Sequence, residues 1–231
     1  MVRPNIKKKI LNEINEINDN AQHLGIYAFI NGEEIDSLKV LIIGPEDSPY
    51  YGGFFLFKVT FPEQFPFLPP HVKFITPNRY NGCRVHPNLY QDGKVCLSIL
   101  NTWGGKEWSP VLTLEKIFLT IQGLLDNNPV ANEPNQEHVK KDSLAGRGYY
   151  IVALYRTLTV GVLSMFSHPE LPPPFLSLMR GFVRDKAKNY LDQADQLQDK
   201  EGQNIKCFHG NETIAYSKLK NDLLHLVHSC Q

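Results

Sequence analysis

The chain has 231 residues, 42% of them hydrophobic and 21% charged, which suits one large domain or a core domain with an extension. Lys plus Arg and Asp plus Glu number 24 each, a balance that argues against a nucleic-acid binder and leaves room only for a local basic patch. Apolar runs such as Gly53 to Phe57 are far too short for a bilayer, the charged N-terminus has no signal-peptide core, and four irregularly spaced cysteines make no disulfide scaffold. A reduced protein of the cytoplasm or nucleus, without a membrane or nucleic-acid partner, is expected.

Ile6, Ile10, Ile14 and Ile17 form one stripe at helical spacing, so the first twenty residues or so read as an amphipathic helix. Lys7, Lys8 and Lys9 lie near its start, where positive charge opposes the helix dipole, so local helix stability does not account for them. Short β-rich runs follow at Tyr27 to Ile30, Leu38 to Ile43, Phe54 to Phe61 and Val72 to Phe74. The connections Asn31-Gly32 and Gly44 to Asp47 are short enough for an antiparallel meander. Pro62, Pro66, Pro69 and Pro70 force an extended segment.

Thr76 to Lys106 has little periodicity, and a loop of that length is usually functional or disordered. Leu114, Ile117, Phe118, Ile121, Leu124 and Leu125 then predict a helix that Asn128-Pro129 stops. Another is expected from near Asp142 to Phe166. The segment His168 to Pro174 marks a boundary. Beyond it the pattern predicts a third long helix burying Phe175, Leu178, Met179, Phe182 and Val183, a loop over Glu201 to Asn211, and a last helix ending near Val227.

The chemistry concentrates in His86-Pro87-Asn88-Leu89-Tyr90-Gln91-Asp92-Gly93-Lys94-Val95-Cys96. A His-Pro-Asn tripeptide with a cysteine eight residues after the Asn closely resembles the signature of the ubiquitin-conjugating enzymes. Three further segments resemble that family in order: Gly44 to Phe55, the proline-rich Phe61 to Pro70, and Trp108-Ser109-Pro110. The resemblance covers about residues 5 to 165. Asn101-Thr102-Trp103-Gly104 and Asn128 to Pro134 are similar to the Z-type subgroup, in which a C-terminal extension is expected.

The resemblance implies an α+β fold: a leading helix, a four-stranded antiparallel sheet, an active-site loop and packed helices. Residues 1–168 would form the catalytic core and 169–231 a helical extension packed on it. It implies an enzyme that accepts ubiquitin, or a ubiquitin-like modifier, from an activating enzyme as a thioester on Cys96. The modifier then passes to a substrate lysine or to a ligase. Cysteine is nucleophilic without an adjacent base, which suits a site with no obvious histidine partner. The alternative is an inactive variant of the same fold that only binds ubiquitin.

Asn88 is the candidate donor to the oxyanion that forms when lysine attacks, or else the residue that shapes the loop. His86 and Pro87 are implied to fold the loop. The family pattern puts an acid at the position of Ser98 and another acid or Ser where Asn132 and Glu133 stand, so Ser98 and Glu133 are candidates for activating the lysine. Lys7, Lys8 and Lys9 match the docking surface for the activating enzyme, and Phe67, Ser109 and Pro110 match the loops that meet a ligase. Core packing is the other reading of Phe67. No cofactor is implied, since the activating enzyme uses the ATP and no Gly-rich phosphate loop is present. No metal is expected either: Cys83 with His86, and Cys207 with His209, lack the spacing of zinc modules, and Cys83, Cys207 and Cys230 read as inert. The chain is expected to act as a monomer.

Overall fold

The computed structural model describes residues 4–30, 35, 37–76, 84–105, 107–207 and 210–231. Helix α1 (Pro4–Asp19) buries Ile10, Ile14 and Ile17 along its apolar stripe. It also buries Glu13, whose carboxylate accepts the backbone N–H of Leu114 at 2.8 Å. Glu13 thereby satisfies one of the orphan donors at the start of a later helix. The short α2 (Ala21–Leu24) stops at Gly25, whose φ of 66° is left-handed.

The strands β1 (Ile26–Ile30), β2 (Ser37–Ile43), β3 (Phe54–Thr60) and β4 (His71–Phe74) form the anticipated meander, antiparallel and in the order β1-β2-β3-β4. The Asn31-Gly32 turn lies outside the described residues. Alternate residues divide between two buried faces. Val40, Ile42, Phe55 and Phe57 pack with α1 and with Leu114, Ile117, Phe118 and Ile121 of α3 (Leu114–Leu124). Leu41, Ile43, Phe54 and Leu56 pack with the C-terminal helices. Covering both faces removes the need for polar alternation, and β2 and β3 read as nearly continuous apolar runs for that reason.

A continuous helical run follows at Leu144–Ser167, as α4 (Leu144–Arg156), a π-helical stretch (Thr157–Val162) and a tight last turn (Leu163–Ser167). By length and composition it is apolar enough to cross a membrane, which corrects the expectation that no apolar run reached that length. Here 56% of its most apolar window is buried, and Leu154, Leu158, Val162 and Met165 face the sheet and the C-terminal helices. A Cβ on Gly53 would lie 2.7 Å from Thr157 Cγ2, so glycine at the start of β3 permits this close crossing.

The third long helix is two, α5 (Pro173–Asp185) and α6 (Ala187–Asp195), which part at Lys186. Phe175, Met179 and Val183 are buried, while Leu178 and Phe182 are half-buried. The expected loop over Glu201 to Asn211 is instead largely a hairpin, β5 (Asn204–Cys207) against β6 (Gly210–Thr213). Helix α7 (Tyr216–Cys230) closes the chain, with Leu219, Leu223 and Val227 inward. Tyr190 of α6 is joined to the turn before β3: its buried hydroxyl donates to the carbonyl of Gly52 at 2.7 Å.

Candidate active site

The loop after β4 is held in register before it reaches the cysteine. Gly93 accepts the Phe74 N–H at 2.8 Å, and its φ of 91° is left-handed. A Cβ there would lie 2.7 Å from the Phe74 carbonyl oxygen, so this turn requires glycine. Asp92 accepts the Lys94 N–H at 2.9 Å, and the fully buried Leu89 anchors the loop from below. His86 is fully buried, its ring centroid 5.5 Å from that of Tyr50, and its Nδ1 accepts the Asn88 N–H at 3.1 Å. Burial lowers its pKa from 6.5 to about 3, against a smaller opposing pull from the Leu124 backbone. The imidazole is therefore neutral and sealed off. Pro87, also buried, offers its carbonyl to Arg84 at 3.0 Å.

Asn88 and Cys96 are joined twice. The Cys96 N–H donates to the Asn88 carbonyl at 2.9 Å, and the Asn88 side-chain amide donates to the Cys96 carbonyl at 2.8 Å. The Asn88 Oδ1 is buried without a hydrogen-bond partner among the described residues. Downstream, the Thr102 hydroxyl donates to the Val95 carbonyl at 2.6 Å and accepts the Leu97 N–H at 2.9 Å, which clamps both neighbours of the cysteine.

Cys96 is a free thiol, 2% exposed, on a cleft of about 200 Å³. Asn88 and Tyr90 line it on the cysteine's own loop, Trp103 from just beyond, and Asn132, Glu133 and Glu137 from the segment between α3 and α4. The neighbouring Cys96 thiol, and then burial, raise the Tyr90 phenol's pKa above its ordinary value. The Arg84 guanidinium lies 3.5 Å from the Tyr90 ring centroid, a cation held beside the thiol's neighbour.

Glu133 reaches this cleft with only 4% exposure, and its Oε1 accepts the Tyr149 hydroxyl at 2.8 Å. Desolvation, followed by the charge of Glu133, pushes the Tyr149 pKa well up. Ser98 is not among the cleft residues. It starts a tight turn (Ser98–Leu100) and is half-buried, and a Cβ on Gly105 would stand 3.2 Å from its own Cβ. The structure thus brings Cys96, Pro87, Asn88 and Glu133 together and leaves Ser98 to one side.

The partner candidates lie elsewhere. On α1, Lys8 and Lys9 are exposed and Lys7 is half-buried, with Lys9 Nζ 3.7 Å from Glu13. Phe67 is 74% exposed, which excludes the core-packing reading. Trp108 joins its segment to the Ser109-Pro110 loop: the indole N–H donates to the Pro66 carbonyl at 2.7 Å and the ring sits 6.1 Å from that of Phe65. Leu68 at 48% and Val111 at 81% exposure extend the apolar surface around Phe67 and the exposed Pro110; Ser109 is half-buried. Cys83 and His209 lie outside the described residues, and Cys207 packs with Val130, Tyr149 and Val152. Sequence reasoning missed Tyr90, Thr102, Trp103 and Glu137; only Thr102 and Trp103 carried a local signal, as part of the Asn101 to Gly104 motif.

Residues 9–151 match the family model described as ubiquitin-conjugating enzyme. The chain is 39% identical over 168 residues to ubiquitin-conjugating enzyme E2 Z of Homo sapiens, covering 71% of this chain and 46% of that protein. It is 40% identical over 141 residues to the E2 Z of Xenopus tropicalis, covering 61% and 44%. The alignments thus span less than half the length of these curated relatives. Among solved structures, the E2 domain of a ubiquitin conjugating enzyme from Toxoplasma gondii superposes with a TM-score of 0.51 at 32% identity, covering 67% of this chain and 98% of that one. With the His-Pro-Asn loop, the meander sheet and the cysteine in its cleft all in place, the chain belongs to the ubiquitin-conjugating enzyme family, and it is similar to the Z-type members.

Proposed function

We propose that this chain accepts ubiquitin, or a ubiquitin-like modifier, from an activating enzyme as a thioester on Cys96, and passes it to a lysine or a ligase. The observation that carries the reading is the thiol itself. Cys96 is free, nearly covered, and open only to a narrow cleft beside an amide, Asn88, already fastened to the cysteine's own carbonyl. Such a thiol meets an extended chain end threaded into the cleft more readily than a bulky surface. The Asn88 amide has two N–H groups. One holds the Cys96 carbonyl, and the other is available to an oxyanion developing on the acyl carbon, so loop shaping and oxyanion support are compatible roles.

His86 takes no part in proton transfer in this account, because its ring is sealed and neutral. Glu133 borders the cleft as a carboxylate held by Tyr149, a placement that supports a part in preparing the lysine. Lys7, Lys8 and Lys9 serve the activating enzyme, and Phe67, Ser109 and Pro110 serve a ligase. Protein substrates and a reducing compartment, cytosol or nucleus, complete the proposal. The test is a charging reaction with activating enzyme, ATP and modifier, read on gels with and without reductant. A shift abolished by reductant and absent from Cys96→Ala supports the proposal; no shift with any modifier refutes it.

A further inference from the structure

We infer that the corner where the chain enters α4 is a docking site for an acidic segment of a partner protein, one that carries a large apolar side chain. The inference stands apart from the thioester reading, because none of the residues involved lines the cysteine's cleft. A cavity of about 350 Å³ opens at this corner, lined by Lys141, Asp142, Arg147, Tyr150 and Ile151. Leu144, at the first position of α4, is 83% exposed, more than any other large hydrophobic side chain among the described residues. Leu144, Arg147 and Ile151 follow at intervals of three and four, so they share one face of the helix.

The charge around the cavity is unbalanced. Lys140, Lys141 and Arg147 are exposed, and so is Lys206 on β5. The β5 backbone runs alongside: the Lys206 carbonyl oxygen is 3.7 Å from where a Cβ on Gly148 would stand. None of these four cations forms an ion pair among the described residues. Lys39, Lys200 and Lys220, by contrast, each meet a carboxylate. Asp142 is the one acid among the residues that line the cavity.

The backbone that carries these groups is fixed. The Ser143 hydroxyl donates to the Lys140 carbonyl at 2.7 Å and accepts the Gly146 N–H at 3.0 Å. Arg147 Nη1 donates to the Asp142 carbonyl at 2.8 Å. The turn over 140–142 is thereby tied to the first turn of α4, so a partner meets a preorganised surface and less entropy is lost on docking. Carboxylates of the partner face the four cations, and its apolar side chain covers Leu144 and enters the cavity. A purely apolar partner would leave the cations desolvated and unpaired. A flat bilayer would leave the cavity unfilled and press Asp142 against anionic headgroups.

The experiment measures fluorescence anisotropy of a labelled peptide, glutamates around a central Leu-Phe pair, titrated with the full chain at physiological salt. Binding should weaken about tenfold or more in Lys141→Glu with Arg147→Glu, and about fivefold in Leu144→Ser. Replacing the peptide's Leu-Phe pair by Ser-Ser should cost a similar fivefold. Arg180→Glu with Lys188→Glu reverses two exposed cations of α5 and α6 and should change binding by less than about twofold, since screening confines the effect to nearby charges. Amide chemical shifts of the unchanged chain, which need no variant, should move at 140–151 and 204–206 when the peptide is added. Absence of peptide binding overturns the inference, as do equal losses from the two charge-reversed pairs, equal binding of the Ser-Ser peptide, or shifts confined to other segments. Flotation with phosphatidylserine vesicles is the last arm: capture by vesicles without peptide binding assigns the corner to a membrane and overturns the inference.

Discussion

The side-chain amide of Asn88 is fastened to the carbonyl of Cys96 at 2.8 Å, and the Cys96 N–H to the Asn88 carbonyl at 2.9 Å. Two hydrogen bonds therefore hold the Asn88 amide against the backbone of Cys96. In the proposed function, loading asks only that an incoming thioester reach the thiol through the cleft. Transfer to lysine asks in addition that charge be stabilised on the acyl oxygen.

Asn88→Ala should therefore slow lysine discharge about 100-fold, the loss typical of one oxyanion donor, while loading changes about threefold or less. Rapid-quench measurement of the two half-reactions checks this. Equal slowing of both steps would leave Asn88 with the loop-shaping role alone.

Tyr149→Phe removes a donor from a carboxylate that is 4% exposed. Taking one donor from a buried acceptor costs about 1–3 kcal/mol, or roughly 2–12 °C in Tm for a chain of this size. Tyr216→Phe, which removes an exposed hydroxyl bonded to Asp195, should shift Tm by about 1 °C or less. Scanning calorimetry separates the two variants, and equal shifts would show that the Tyr149 bond contributes little.

His86 makes stability depend on pH. Its pKa is 6.5 before folding and about 3 after, so below 6.5 the unfolded chain binds a proton that the native state refuses. The unfolded state then holds more protons, and stability rises with pH across this window. It is fully present above pH 6.5 and is lost as pH falls towards 3, by about 1.4 kcal/mol per unit. His86→Asn should be less stable at neutral pH, yet its profile should be flatter than that of the unchanged chain by this slope. Parallel denaturant profiles of the two proteins between pH 7 and 4 would contradict the assignment.

Phe65 and Phe67 sit two residues apart and should respond in opposite ways. Phe65 is 6% exposed and packs against Phe61 and Trp108, so Phe65→Ala should cost about 3–5 kcal/mol. Phe67 is 74% exposed, so Phe67→Ala should stay within about 0.5 kcal/mol while weakening any ligase-stimulated discharge. A stability loss of several kcal/mol in Phe67→Ala would place it in the core after all.

Much of the fold was legible because its signals are local. The Ile stripe of α1, the apolar spacing of α3 and the β-rich runs of the meander each follow from neighbours in sequence. The hairpin at Asn204–Thr213 was not, since its strands are short and polar and only Ile205, Cys207 and Glu212 turn inward. Glu212 illustrates the difficulty. In sequence it is a loop acid, yet in the fold its Oε2 meets Arg156 Nε at 2.9 Å with both side chains buried. The cleft divides in the same way. Cys96, Pro87 and Asn88 share one loop and one motif, whereas Glu133 and Glu137 come from beyond α3. Ser98, which the family pattern puts at the position of an acid, starts a tight turn and is not among the residues that line the cleft.

The most direct test of the central claim is intact-mass spectrometry of the chain after charging with activating enzyme, ATP and modifier, followed by proteolysis under non-reducing conditions. The account predicts one adduct, equal to the modifier minus one water, reversible by thiol and confined to the fragment containing Cys96. An adduct on the fragment of Cys83, Cys207 or Cys230, or a chain of unchanged mass beside a fully charged activating enzyme, would contradict it.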